Sequence, residues 1–176
     1  MKQIARAMGH GNGKVEHFLY PGFLVVESAP HIITTILGSC ISVCLWDTVT
    51  KTGGINHYIY PLYNMYPRGC EEPSFKYGDI AIRELIQKTS AKGSKKLIAK
   101  VFGGARMFQQ SNDSLPEVGA KNIEIAKTIL KDHDIPIISS DIGGNIGRKI
   151  VFHTDTGDVF VQKIRSRLLT NNFRQI

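Results

Sequence analysis

The chain has 176 residues, 42% of them hydrophobic and 21% charged, with a formal net charge of +7; this is the balance of a single folded domain with length enough for a core. No apolar run approaches the ~18–20 residues that cross a bilayer, and the N-terminus MKQIARAMGHGNGKVEH has no apolar signal core. Three cysteines are too sparse and odd in number for a disulfide-stapled secreted fold, so the expected location is a reducing cytoplasm, with no membrane insertion.

Residues 1–14, polar and glycine-rich, read as a flexible lead-in to one domain over residues 15–170, with a tail over 171–176. Strand-like runs rich in β-branched and aromatic residues follow: FLVVE (23–27), HIITTIL (31–37), CISVCLW (40–46) and GINHYIYP (54–61). Residues 62–76, with two prolines and mixed polarity, read as a loop. A helix is expected from Asp79 as N-cap, with Ile82, Leu85 and Ile86 as its apolar stripe and Gly93 as its stop. KLIAKVF (96–102) reads as a strand ending in Gly103-Gly104, and Asn122 as the cap of a second helix burying Ile123, Ala126, Ile129 and Leu130. IPIISSD, KIVFHT and DVFVQKI supply further strands, the last two joined at Asp155-Thr156-Gly157. Many strands with two main helices between them predict an α/β (α+β) layered sandwich of mixed and antiparallel strands.

The basic residues are scattered. Their densest groups, Lys92, Lys95 and Lys96, then Lys163, Arg165 and Arg167, are not interleaved with aromatics as a nucleic-acid platform would be. No nucleic acid is expected: the positive charge reads first as a solvated basic surface, with attraction to an acidic protein partner as the other reading. Two glycine clusters have the wrong spacing for nucleotide sites: GHGNGK has Met8 where a P-loop needs its first glycine, and DIGGNIGR is not G-x-G-x-x-G. Both read as turns, and no cofactor is expected.

Cys40 and Cys44 alternate with Ile41, Val43 and Leu45 on a strand, where four residues span about 13 Å. A disulfide needs Cα atoms within about 7 Å and zinc needs its ligands about 2.0–2.3 Å away, so the two share neither a bond nor a metal. A zinc site scattered over Cys40, His57 and Cys70 lacks any C-x-x-C signature; no metal is expected. If Asp47 pairs with Thr50 across a two-residue turn, Cys40 falls directly opposite His57. A two-residue slip leaves them diagonal on the same face. An adjacent imidazole lowers a cysteine pKa and makes the thiolate a nucleophile. Cys40 follows Gly38-Ser39 at a reachable strand edge, and Gly38 leaves the backbone uncrowded for an oxyanion. Cys44 reads as core. The plainer alternative makes Cys40 core as well, and His57 a hydrogen-bonded interior histidine.

TTILGSCISVCLWD, GGINHYIYP, AKVFGGARMF and DIGGNIGRKIVFHTDTGDVFV, in that order over roughly residues 28–164, resemble the CheD family of chemoreceptor glutamine deamidases. The resemblance implies a cysteine hydrolase, a protein-glutamine glutaminase that converts receptor glutamines to glutamate with release of ammonia. The implied fold is a sandwich shared with bacterial glutamine-deamidating toxins. The family's nucleophile falls on Cys40 and its base on His57. Its threonine, six residues before the cysteine, falls on Thr34, with Thr35 beside it. Gly38, Ser39, Gly103 and Gly104 become substrate-pocket candidates. YIYP departs from the family's usual Met-Leu-Pro-like ending and alters the pocket wall. Implied partners are chemoreceptor cytoplasmic domains and a CheC-like phosphatase. The competing functions are a non-catalytic regulatory binding module of the chemotaxis system, and a protease or transglutaminase using the same Cys–His pair.

Overall fold

In the computed structural model, which describes residues 5–11, 14–65, 72–93, 96–106, 118–164 and 174–175, the β-branched runs form two sheets. One sheet has the order β1 (Ala5–Gly11), β2 (Lys14–Leu19), β4 (His31–Leu37), β9 (Gly147–His153), β10 (Val159–Ile164) and β11 (Arg174–Gln175). The other runs β3 (Phe23–Glu27), β6 (Gly53–His57), β5 (Ile41–Asp47), β7 (Leu97–Gly103) and β8 (Ile137–Ile142). β2 pairs with β4 and β7 with β8 in parallel; the other pairings are antiparallel. Two helices, α1 (Gly78–Ala91) and α2 (Val118–Asp132), cover the second sheet. The expected α+β sandwich of mixed and antiparallel strands is the observed architecture. No helix among the described residues is long and apolar enough to cross a membrane.

The layers follow from which strands bury both faces. Ile41, Val43 and Leu45 of β5 point to the helices, packing with Ile82 and Leu85 of α1 and Ala126, Ile129 and Leu130 of α2. The alternate residue Cys44 points the other way, into a core with Ile33 and Leu37 of β4, Ile55 of β6 and Phe152 of β9. A strand buried on both faces loses the apolar–polar alternation of a half-exposed one, which is why CISVCLW reads as a continuous hydrophobic run. The order of layers is therefore sheet, sheet, helices.

Several local expectations are corrected. Within the expected lead-in, Ala5–Gly11 pairs antiparallel with β2, and within the expected tail Arg174–Gln175 pairs with β10. Asp79 is not the N-cap of α1. Tyr77 holds that position without capping the helix through its side chain, because the first amides of the helix find strand-edge carbonyls: Gly78 donates to Tyr60 and Asp79 to Pro61. The Asp79 carboxylate instead accepts from the amides of Ile80 and Tyr63, tying a short 3-10 turn at Tyr63–Met65 to the helix. Nor does Asn122 cap α2, which starts a turn earlier at Val118 and carries Asn122 wholly buried. Much of the 62–76 loop, including Cys70, lies outside the described residues.

Candidate active site

The β5–β6 hairpin decides how Cys40 meets His57, and its turn is longer than the two residues expected. Asp47 pairs with Thr52, its amide donating to the Thr52 carbonyl at 2.9 Å. The Asp47 carboxylate accepts from Val49 N–H and Thr50 N–H at 2.8 and 2.6 Å, an Asx turn that closes a four-residue loop, with Lys51 at φ 56°. Ile41 therefore faces Tyr58 and Cys44 faces Ile55. By that register His57 lies opposite Ser42 and diagonal to Cys40, a relation of roughly 7–8 Å on the same face. Cys40, half-buried, packs on the edge of the inter-sheet core to which Cys44 belongs.

Residues 38–40 are held through their carbonyls. Gly38 accepts from Ala105 N–H and Cys40 from Gly104 N–H, both at 2.8 Å, and Ser39 accepts from Asn122 Nδ2 at 3.0 Å. Gly103 makes this possible. Its φ of +113° suits glycine, and a Cβ there would lie 2.1 Å from the Cys40 carbonyl oxygen. Gly104, at φ +72°, would drive a Cβ into Ile123. Among the substrate-pocket candidates, Gly103 and Gly104 thus pack against the Cys40 backbone and against α2, while Gly38 and Ser39 remain half-exposed beside Cys40.

His57 is 2% exposed and faces the other sheet. Its Nδ1 lies 2.8 Å from the hydroxyl of Thr35, and that hydroxyl lies 2.8 Å from the Leu19 carbonyl oxygen. A carbonyl only accepts, so the single hydroxyl proton goes to Leu19 and the hydroxyl oxygen accepts from Nδ1–H. This hydrogen-bond network assigns the Nδ1–H tautomer. It leaves the lone pair on Nε2, which is buried without a hydrogen-bond partner. Thr34 does not take part. It sits on the outer face of β4, while Thr35 shares the inner face with Ile33 and Leu37, all buried. The family offset pointed at Thr34; strand alternation was the signal that selects Thr35.

The pair is electrostatically neutral. Burial pushes the Cys40 thiol above its ordinary pKa, with its own backbone amide pulling it partly back. Burial likewise holds His57 down to about 4, against a small upward pull from the Leu19 carbonyl. The expectation of a thiol acidified by its imidazole is not met, because an uncharged ring supplies no positive charge to stabilise a thiolate. Cys44, fully buried, is pushed up further, as a core thiol should be. No cluster of three metal-ligating side chains occurs among the described residues.

Two buried polar residues that sequence reasoning did not single out support this arrangement. Asn56, next to His57 and wholly buried, accepts from Val43 N–H through Oδ1 at 2.9 Å. Arg148, also wholly buried, lies in the DIGGNIGR motif. Its guanidinium bonds the Asp141 carboxylate at 2.7 Å and the carbonyls of Asp141, Gly143 and Ile146. The loop so held returns to the site through Gly143 N–H, which donates to the Gly103 carbonyl, and through the Gly144 carbonyl, which accepts from Arg106 N–H.

The chain matches known proteins along most of its length. The family model described as CheD chemotactic sensory transduction matches residues 64–163. A protein of Trichlorobacter lovleyi named "Probable chemoreceptor glutamine deamidase CheD" is 43% identical over 148 residues, 83% of this chain and 89% of its own. A match of that length in a 176-residue chain necessarily spans Cys40 to His57. A protein of the same name from Sulfurimonas denitrificans is 41% identical over 84% of this chain and 94% of its own. One from Anaeromyxobacter dehalogenans, "Probable chemoreceptor glutamine deamidase CheD 1", is 35% identical over 88% of each.

Proposed function

Because the chain belongs to the CheD family, we propose that it is a protein-glutamine deamidase acting on chemoreceptor cytoplasmic domains, with Cys40 as nucleophile, His57 as base and Thr35 as the group that orients the base. The observation that carries this reading is the Leu19–Thr35–His57 chain of hydrogen bonds, which leaves an unpartnered Nε2 lone pair on the face shared with Cys40.

The chemistry follows from the two neutral groups. The glutamine side-chain carbonyl enters beside Gly38, Ser39 and Cys40. Sγ attacks the amide carbon as His57 Nε2 takes the thiol proton, so proton transfer and attack are coupled rather than preceded by a standing thiolate. The developing oxyanion is held by backbone N–H groups at the nucleophile segment. Nε2–H then protonates the departing nitrogen, releasing ammonia and leaving a thioester on Cys40. Water, deprotonated by Nε2, attacks the thioester; glutamate leaves, and the proton returns to sulfur. Thr35 keeps Nδ1 protonated throughout, so the reactive lone pair is always on Nε2.

The reaction belongs in the cytoplasm, where receptor signalling domains are found, and a CheC-like phosphatase is the proposed regulatory partner. Incubation with a receptor cytoplasmic fragment should convert particular glutamines to glutamate, a mass change read by peptide mass spectrometry. Cys40→Ala should abolish the conversion. Retained conversion in that variant refutes the mechanism, and chain cleavage or amine incorporation in place of deamidation would assign the pair to a protease or a transglutaminase.

A further inference from the structure

Asn122 projects from α2 into the site region, wholly buried, and no step above uses it. Its Nδ2 donates to two carbonyls, Ser39 at 3.0 Å and Ile59 at 2.8 Å. Its own backbone carbonyl accepts from Tyr58 Oη at 2.5 Å. Ser39 immediately precedes the nucleophile, and Ile59 lies just past the base.

This contact replaces a missing rung of the β5–β6 ladder. The last backbone exchange between these segments is Ile41 with Tyr58. The next hydrogen-bonded rung would join Ser39 to Tyr60, but Tyr60 N–H donates to Lys76 and its carbonyl accepts from Gly78. The chain after His57 has thus turned away toward the start of α1, opening a gap at the level of Cys40. The two N–H groups of one amide span that gap, and only an amino group satisfies two facing acceptors, so the orientation of the amide is settled. The remaining oxygen, Oδ1, is buried with no partner. An apolar side chain in this volume would leave the Ser39 and Ile59 carbonyls without their shared donor, so the amide joins the two segments at the expense of its own unsatisfied oxygen.

We propose that Asn122 is a positioning residue, whose amide fork sets the separation and mutual orientation of Cys40 and His57 by fixing the backbone on both sides of the pair. α2 thereby holds the site from the face opposite to the one on which Thr35 holds the imidazole.

The turnover arm of the test rests on the deamidase reading; its alkylation arm does not. Asn122→Ala is compared with wild type by receptor-fragment deamidation, by iodoacetamide alkylation of Cys40 across pH, and by thermal unfolding, with rates measured where the variant is fully folded. Displacing reacting atoms by about 1 Å costs on the order of a hundredfold. The expected result is therefore a kcat lower by about 30-fold or more, a KM within about twofold, and a shifted pH profile of alkylation. Asn122→Asp, of the same shape but without the donors, should reproduce the loss. A lowered Tm with unchanged kcat and an unchanged alkylation profile overturns the proposal, as does failure of both variants to fold, which would make the residue a folding element only. If wild type itself does not deamidate the fragment, the functional reading fails, and the alkylation profile still decides the role of Asn122.

Discussion

A threonine hydroxyl orients an imidazole without adding negative charge, so the His57–Thr35 pair differs in kind from a histidine held by a carboxylate. Its contribution is the tautomer and the ring angle, both of which depend on the Thr35 proton being committed to Leu19. Thr35→Val should lower deamidation kcat roughly tenfold or more and destabilise the fold by about 1–3 kcal/mol through the Nδ1–H and carbonyl left unpaired. Thr35→Ser should keep most activity and Thr34→Val nearly all of it; steady-state kinetics beside thermal melts separate the three. The low pKa of His57 also makes stability depend on pH. With the folded value at about 4 and the unfolded one at about 6.5, the unfolded chain binds the extra proton first. The contribution is whole above pH ~6.5 and is lost as pH falls toward ~4, at most about 3 kcal/mol by linkage. Urea titrations between those limits should show the midpoint falling with pH, and His57→Gln should flatten the slope. Alkylation of Cys40 should keep accelerating above the ordinary cysteine pKa, as its upward shift requires.

The short connection from β4 to β5 carries Cys40, and its rigidity comes from three carbonyls tied to β7's end and to α2. Gly103→Ala tests this. The added Cβ meets the Cys40 carbonyl in a backbone region that alanine avoids, so a stability loss of about 3 kcal/mol or more should come with a fall in activity larger than unfolding explains. Alternation and composition were sufficient to read β3, β4 and β5 nearly to the residue, because β-branched runs bounded by Gly, Pro and Ser have little else to become. The same reasoning put Cys40 and His57 on one face, which the slip in register preserves, since two residues is a full strand period. It missed that register because an aspartate that caps its own turn lengthens the loop without a glycine to announce it. It misread Asp79 and Asn122 as caps for a related reason: a side chain that caps a helix and one that reaches across to another element are the same residue types, and only tertiary position separates them.

Stacking two sheets and a helical layer places Cys40 and His57 at the seam between sheets, within reach of residues from every layer. Arg148 strengthens that seam where the chain crosses from β8 in one sheet to β9 in the other. Arg148→Ala, which strands several carbonyls and leaves the Asp141 carboxylate with Lys163 alone, should destabilise the protein by about 3 kcal/mol or more. Arg148→Lys should recover only part of this, because a point charge cannot replace a planar fork; chemical denaturation of the three proteins gives the ranking. The strand geometry that keeps Cys40 and Cys44 about 13 Å apart along β5 also bears on oxidants. A Cys40 sulfenic acid would find no resolving thiol in its own strand, since Cys44 lies well beyond disulfide reach. Peroxide should therefore carry Cys40 on to the sulfinic acid unless Cys70 or a small thiol such as glutathione intercepts it, and intact-mass spectra of wild type and Cys70→Ser after peroxide treatment, with and without glutathione, would tell these fates apart.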